Sequence, residues 1–570
     1  MNLLTVRVFS FLFISTINLN IYSQKYFNLD FETKIPQTDL PKKWFVRGAG
    51  YEIKLDSIIK NSGKYSLKMV NAEQLNKSVG ISTSSFPVEL MRGKTVAFKG
   101  KIKTENVING YAGLWLRVDG NNKLLSFDNM YDRGIKGTSD WKEVSILMDI
   151  PLEAKGIFFG GIFSGEGSAW FDTFEISIDN ILYQEKIPEI KLPNNDELKW
   201  LSKNIIPIKT VDPNSIKDND LYFLNDIVKN SKIVALGEAS HGSKEIFKMK
   251  HRIIKYLKEH MGFDIFSIEA NMPESYMLNN YIVQNQGKPK ELIKGMYFWT
   301  WNTQETLDMV NWMNEYNLDH EEKILFTGFD MQYYQGAINE LKKIVDKEEL
   351  KILESLESEL ATSKANKLVP KDTFDEKLNH IKNWISENIT NPKKKNWGIQ
   401  NIKIINQAID KSSGRKRDLY MADNMSWIIE NNPQSKFIIW GHNGHIKKSR
   451  NVMGGYLSEK YGKDYLSIGF AFHKGVYTAK GKEGLKAYPA KESYPGTYEY
   501  FFKSIKEPIF LLDMRNIHPE RENKWLFNTL DFRVVGASKL DNEFFETSIT
   551  DDFDIIIFIN ESNSSKLLKD

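Results

Sequence analysis

Ile233-Val234-Ala235-Leu236-Gly237-Glu238-Ala239-Ser240-His241-Gly242 decides the fold of the second half of this chain. Four apolar residues in a row read as a short strand buried on both faces. A glycine follows it, and a helical pattern starts almost at once. Over residues 244–260, Ile246, Phe247, Ile253, Ile254 and Leu257 fall on one helical face. Strand, turn and helix in that order is the repeating unit of an α/β domain with a mostly parallel sheet.

The same grammar recurs downstream. Short apolar strands are expected at 233–236, 265–268, 324–327, 437–440, 465–468, 509–512 and 555–559, with helices between several of them. Residues 336–431 are helical and highly charged, an insertion or lobe with no strand. Open parallel sheets bind ligands beyond the carboxyl ends of their strands, so the residues that follow each strand matter. Glu238 and His241 follow the first, and Glu269 ends the second in Ser267-Ile268-Glu269-Ala270. Asp330 follows the third in Gly328-Phe329-Asp330. His442 and His445 follow the fourth in Trp440-Gly441-His442-Asn443-Gly444-His445. Four successive strands thus deliver a carboxylate or an imidazole to one sheet edge.

Each has a plainer use. Glu238 can cap the next helix, His241 can hold a turn, and Asp330 can do either. Glu269 is harder to explain so, because a buried carboxylate without a partner is costly. The other histidines, His251, His260, His320, His380, His473 and His518, read as structural or surface residues.

The chemistry is narrowed by what is missing. The chain has no cysteine, which removes thiolate catalysis, disulfides and Cys-type zinc sites. It has no Gly-x-Ser-x-Gly elbow, and Ser240 sits one residue off that register. Water activated by a neutral imidazole is then the simplest hydrolytic scheme, with a carboxylate on the other ring nitrogen to fix the tautomer. A divalent metal held by Glu238-x-x-His241 and His442-x-x-His445 is the competing reading, although these pairs lie on loops rather than on one helix face.

The first part of the chain reads differently. With 570 residues, more than one domain is expected. Residues 1–23 read as a secretory signal, with Arg7, an apolar stretch over 8–17 and Ser23 before Gln24. That stretch is too short to span a bilayer. Export to the periplasm, the cell surface or the medium is expected. Residues 24–185 alternate apolar and polar residues between turn signals, the pattern of an antiparallel β-sandwich. Asn28-Leu29-Asp30-Phe31-Glu32, Gly63-Lys64-Tyr65-Ser66-Leu67 and Ala169-Trp170-Phe171-Asp172 resemble jelly-roll carbohydrate-binding modules. Trp44, Trp115, Trp141 and Trp170 either stack on sugar rings or fill the sandwich core. A proline-containing linker is expected over 186–198, and the α/β domain over 199–570. A net charge of +3, from 77 basic and 74 acidic residues, gives no footprint for nucleic acid.

Taken together, several segments of the α/β region resemble the erythromycin esterase family. They are Gly237 to Gly242, Lys250-His251-Arg252, Gly262-Phe263 leading to Ile268-Glu269-Ala270, and Trp299-Thr300-Trp301-Asn302-Thr303-Gln304-Glu305. Further on come Gly328-Phe329-Asp330, Arg417-Asp418 with Met421-Ala422-Asp423-Asn424, Trp440 to His445, and Ile468-Gly469-Phe470. The resemblance implies an esterase that opens a macrolide lactone without an essential metal or other cofactor. It implies His241 as the base that activates water, Glu238 and Glu269 as its carboxylate partners, and His442 and His445 as groups that position or polarise the carbonyl. Lys250, Arg252, Asp330, Trp299 and Asn443 are the implied substrate-binding groups. Lys250 stands where the family often has Arg, which keeps the charge but not the two-pronged fork. The chain departs from the compact cytoplasmic family members known for macrolide resistance in its expected export and its added sandwich. The expected substrate is therefore a small-molecule ester, macrolide or acylated sugar. The rivals are a metallohydrolase on the same residues and a non-catalytic, glycan-binding surface protein.

Overall fold

The computed structural model describes residues 25–71, 78–121, 123–187, 189–215, 219–366, 372–410 and 416–569. The expected signal over 1–23 lies outside the described residues. The chain divides after Glu189 into two compact units. Among the described residues, no helix is long and apolar enough to cross a membrane.

The first unit holds β1 (Phe45–Arg47), β2 (Glu52–Asp56), β3 (Ser66–Asn71), β4 (Val79–Phe86), β5 (Thr95–Asp119), β6 (Leu124–Asp128), β7 (Ile135–Asp149), β8 (Gly156–Ile178) and β9 (Ile181–Leu182). Every pairing is antiparallel. The segments 95–102 and 112–118, which read as separate strands, are one. Asn106 (φ 54°) and Asn109 (φ 56°) take the left-handed backbone where the β5–β8 register shifts, so the strand bends without ending. Beyond that bend β5 exchanges its partner β7 for β6, while β8 exchanges β3 for β4. The two layers of the sandwich therefore share β5 and β8. Phe98, Ile102, Leu114, Leu116, Phe159 and Phe171, drawn from both halves, close over one apolar core. Trp44, Trp115 and Trp170 are buried, and each indole N–H donates inside the unit, to the Asn28 carbonyl, the Ser82 carbonyl and Asp56. Trp44 packs in that core, whereas Trp115 lies in a small separate cluster with Tyr111 and Ile162 and Trp170 lies beneath Lys68; Trp141 is half-buried.

The second unit begins with a helix, Asn195–Asn204, which starts inside the expected linker. Asn194 accepts from the Asp196 and Glu197 N–H groups while the Glu197 carboxylate accepts from the Asn194 N–H. That capping box starts the helix at Asn195, four residues before the expected start of the α/β domain at 199.

Its main strands are β10 (Ile205–Pro207), β11 (Ile233–Leu236), β12 (Ile265–Asn271), β13 (Leu325–Asp330), β14 (Phe437–Trp440), β15 (Tyr465–Gly481), β16 (Gly484–Pro489), β17 (Ile509–Asp513) and β20 (Ile555–Ser562), with a separate pair, β18 (Leu530–Arg533) and β19 (Phe544–Thr547). The large sheet runs β10-β17-β20-β15-β11-β14-β12-β13, and β16 hangs from β15. The six strands from β20 to β13 are parallel; β10, β16 and β17 are not. Between β13 and β14 the described residues form five helices, Gln335–Lys342, Lys347–Asn366, Asp372–Asn388, Pro392–Ile409 and Arg417–Asn431, and no strand.

The unbroken apolar run at 233–236 now has its reason. Ile233 and Ala235 enter the core on one face of the sheet, Val234 and Leu236 the core on the other. β14 does the same, with Phe437 and Ile439 on one side and Ile438 and Trp440 on the other. A strand buried on both faces has no polar position to alternate with.

Candidate active site

Pair register brings the strand ends level. Leu236 stands opposite Trp440, Trp440 opposite Ile268, and Ile268 opposite Gly328. Glu238, His442 and Asp330 each lie two residues past that line and Glu269 one. Four neighbouring strands, β11, β14, β12 and β13, therefore present their acid and imidazole groups together. The chain crosses from β14 to β15 on the far side of β11, which is the topological switch where such sheets bind ligands.

Glu238 is the buried centre. Its Oε1 accepts from His241 Nδ1 at 2.6 Å. Its Oε2 accepts from Lys250 Nζ at 2.8 Å and from the Trp440 indole N–H at 2.8 Å. The ammonium also lies 4.1 Å from the Trp440 ring centroid, a cation–π contact in a dry setting. Burial pushes the Glu238 carboxyl up, but Lys250 and His241 outweigh it and hold it below the usual carboxylate range. Burial pushes Lys250 down to about 8, against the pull of Glu238 and Glu269. With Nδ1–H given to the carboxylate, the His241 lone pair is on Nε2, which takes no protein partner among the described residues. The His241 side chain is 10% exposed, whereas Glu238 and Lys250 are fully covered. Solvent reaches the imidazole and not the groups that orient it.

A second cluster is built round Arg417, at the start of the helix Arg417–Asn431. Its Nη2 donates to Glu269 Oε1 and to Asp330 Oδ2, each at 2.7 Å, and its Nε donates to Asp330 Oδ1 at 3.2 Å. Its Nη1 donates to His445 Nε2 at 3.2 Å. Nδ1–H of His445 donates to Asp418 Oδ1 at 2.8 Å, and Glu269 Oε1 lies 3.4 Å from His445 Nε2. Burial raises the Glu269 carboxyl, yet His445, Arg417 and His241 together carry it well below its ordinary value. Burial lowers His445, and Glu269 with Asp418 more than reverses this, so its pKa is raised. Arg417 and His445 are 27% and 20% exposed in their side chains, the open rim of the cluster.

His442 is held from both sides. The Gly444 N–H donates to its Nδ1 at 3.1 Å, and its Nε2–H donates to the Val535 carbonyl at 3.2 Å. Burial pushes its pKa down to about 3. It is a neutral ring of fixed tautomer, 5.1 Å from the His241 ring, with no nitrogen left to polarise a carbonyl. Its backbone N–H serves the site, donating to Glu269 Oε2 at 3.0 Å.

Other expected substrate-binding groups are used elsewhere. Asn443 donates to the Phe470 carbonyl and accepts from the Phe470 N–H, stitching the loop to β15. A Cβ at Gly237 would lie 2.1 Å from the Asn443 side-chain oxygen, so this close approach needs glycine. Arg252 turns away from the cluster: its guanidinium grips Asp220 and the Thr210 carbonyl. Lys250 and Arg252 are two apart on a helix, and residues so spaced do not share a face. Trp299 is half-buried in its turn. Two residues on, Trp301 reaches the site, donating to the Glu269 carbonyl at 2.9 Å and meeting His241 edge-on at 5.8 Å.

Arg417, Asp418, Trp301, Trp440 and Val535 are the contributors that strand-end reasoning missed. Charge accounting gave a signal for the first of these: three buried strand-end carboxylates require more cation than Lys250 can supply.

Among the described residues, no group of three or more His, Asp or Glu is arranged to hold a metal ion. Lys250 caps Glu238, and Arg417 caps Glu269 and Asp330, so a metal ion there would meet resident cations. What the arrangement offers is a carboxylate-oriented imidazole with a free Nε2 beside a guanidinium and a second imidazole of raised pKa.

Three comparisons bear on this geometry. The profile of the family described as erythromycin esterase matches residues 258–562. The chain is 24% identical over 383 residues to the putative hydrolase YbfO of Bacillus subtilis (strain 168), covering 58% of this chain and 83% of that protein. It is 27% identical over 335 residues to erythromycin esterase type II of Escherichia coli, covering 49% and 77% respectively. Among solved structures, one described as a succinoglycan biosynthesis protein aligns with a TM-score of 0.58 at 27% identity, covering 65% of this chain and 98% of that one.

Proposed function

Because this chain belongs to the erythromycin esterase family, we propose that its α/β unit hydrolyses a carboxylic ester with water and that His241 is the general base. The observation that carries this is the 2.6 Å bond from His241 Nδ1 to the buried Glu238, with Nε2 left for solvent.

Nε2 takes a proton from water as the water oxygen attacks the ester carbonyl carbon. Glu238, kept ionised by Lys250, stabilises the imidazolium that forms, and so holds the base in one tautomer and one orientation. Arg417, on the open rim beside His445, is the cation offered to a developing oxyanion, and a preorganised cationic donor is worth most where water is excluded. When the tetrahedral intermediate collapses, the C–O bond to the alcohol breaks and the imidazolium returns its proton to the leaving alkoxide. His442 acts by packing and through its backbone N–H on Glu269.

The reading needs no metal, since Lys250 and Arg417 already pair with Glu238, Glu269 and Asp330. The substrate is a lactone or other ester of a macrolide or an acylated sugar, and the protein is exported. For the N-terminal unit, Phe45, Phe127 and Tyr131, 61%, 49% and 75% exposed, are rings open to a glycan; loss of polysaccharide retention on changing all three to Ala tests that contact.

The test of the catalytic reading is His241→Ala. It should fold as the parent does and lose about a thousandfold in kcat/KM on an ester that the parent turns over with addition of water, found by a mass-spectrometric screen. A folded variant as active as the parent defeats the assignment. Full turnover after exhaustive chelation is expected, and a stoichiometric ion required for turnover would replace this mechanism with a metal-assisted one.

A further inference from the structure

We propose that the segment Asn563–Leu568, which follows β20, positions the catalytic His241, and that Glu305 is the positioning residue that seats it. This rests on the reading of His241 as general base.

The segment is sewn to two loops in turn. At its start it pairs with the residues just after His241: the Lys244 N–H donates to the Asn563 carbonyl at 2.9 Å, and the Ser565 N–H to the Gly242 carbonyl at 2.8 Å. Ser243 and Ser564 form an antiparallel bridge. Ser562 Oγ donates to Ser243 Oγ at 2.7 Å, and Thr478 Oγ1 donates to the Ser565 carbonyl at 2.9 Å. At its end it pairs with the residues just after Trp301. The Gln304 N–H donates to the Lys566 carbonyl at 2.7 Å, the Leu568 N–H to the Asn302 carbonyl at 3.0 Å, and Thr303 bridges Leu567.

Between the two grips, both Glu305 oxygens accept from the Lys566 N–H, at 3.1 and 3.3 Å. Glu305 is buried in the first turn of the helix Gln304–Asp319. The two clamped loops are the ones whose side chains meet at the reacting imidazole, since Trp301 touches His241 edge-on and bonds to the Glu269 carbonyl. The segment lies past the residues that the family profile matches.

The test compares the full chain with Glu305→Leu, with Glu305→Gln and with a chain ending at Ser562. Two quantities are read: kcat and KM on the responsive ester, and the rate at which diethyl pyrocarbonate modifies His241, followed by peptide mass spectrometry with the exposed His320 as internal reference. Loosening the clamp should lower kcat by about a hundredfold, the cost of an ångström-scale misplacement, with KM within a few-fold of the parent. Modification of His241 should become severalfold faster while His320 is unchanged. Glu305→Gln, which keeps an acceptor for Lys566, should behave as the parent does. If Glu305→Leu folds with parental kcat and a parental His241 modification rate, the proposal is overturned. If the parent itself hydrolyses no ester, the esterase reading fails, and the modification rate still decides whether the segment orders His241.

Discussion

Lys250 offers the sharpest test of how this site is powered. It is fully buried, donates to Glu238 at 2.8 Å and has its pKa pushed down to about 8 by burial. The useful form is the charged one, because it keeps Glu238 ionised beside His241. Activity that depends on it is present below about pH 8 and is lost above. With a pKa of about 8, roughly one-tenth of the ammonium remains at pH 9 and about one-hundredth at pH 10, and kcat/KM should fall in the same proportion. Stability does not follow the same course. The folded pKa lies below the ordinary 10.5, so the folded state carries the strain of a buried charge below about pH 8 and sheds it as pH rises towards 10.5. This lysine therefore removes activity on the alkaline side without removing stability. Lys250→Arg separates the effects, because a guanidinium stays charged throughout. Its bulk should cost about 1–3 kcal/mol of stability in so tight a site, but the alkaline limb of its kcat/KM profile should disappear up to about pH 10. The assay is a pH series of initial rates, with thermal melts at each pH. A parental profile flat across this range, or an Arg variant with the same alkaline limb, refutes the reasoning.

Arg417→Lys keeps a charge but loses the fork that joins Glu269, Asp330 and His445; kcat/KM should fall about a hundredfold, measured on the same ester, and parental activity would remove Arg417 from the oxyanion role. Arg252→Met leaves the buried Asp220 carboxylate without its guanidinium and should cost about 3–5 kcal/mol in urea unfolding. The kcat/KM of the folded Arg252 variant should stay parental, and a selective loss of kcat would return Arg252 to the site.

Much of this architecture was legible because it follows from local patterns. The apolar runs at 233–236 and 437–440 match β11 and β14 residue for residue, since strands covered on both faces admit no polar interruption. The helix expected over 244–260 forms as Lys244–Met261. Strands that continue past their apolar segment were seen only in part. β15 runs to Gly481 because its far end pairs with β16, a contact that no short window of sequence contains. The bend of β5 was hidden for a related reason: Asn106 and Asn109 look like turn residues, and in the structure they turn the strand without breaking its ladder. At the site, residues that follow strands were readable from position. Arg417 and Val535 were not, because they arrive from a helix and a loop far along the chain, and only the tertiary fold brings them to Glu269 and His442.

The charge balance of the cluster has one more consequence. Glu238, Glu269 and Asp330 pair with Lys250 and Arg417, and Asp418 with His445, which leaves a surplus of negative charge when the imidazoles are neutral. A neutral ester enters such a hollow without penalty, whereas hydrolysis turns it into an acid that ionises on the spot. The newborn anion then sits among like charges in a poorly screened setting. For an ester hydrolase of the proposed mechanism this makes the chemical step its own ejector, and weak product inhibition follows from the same residues proposed to activate the water.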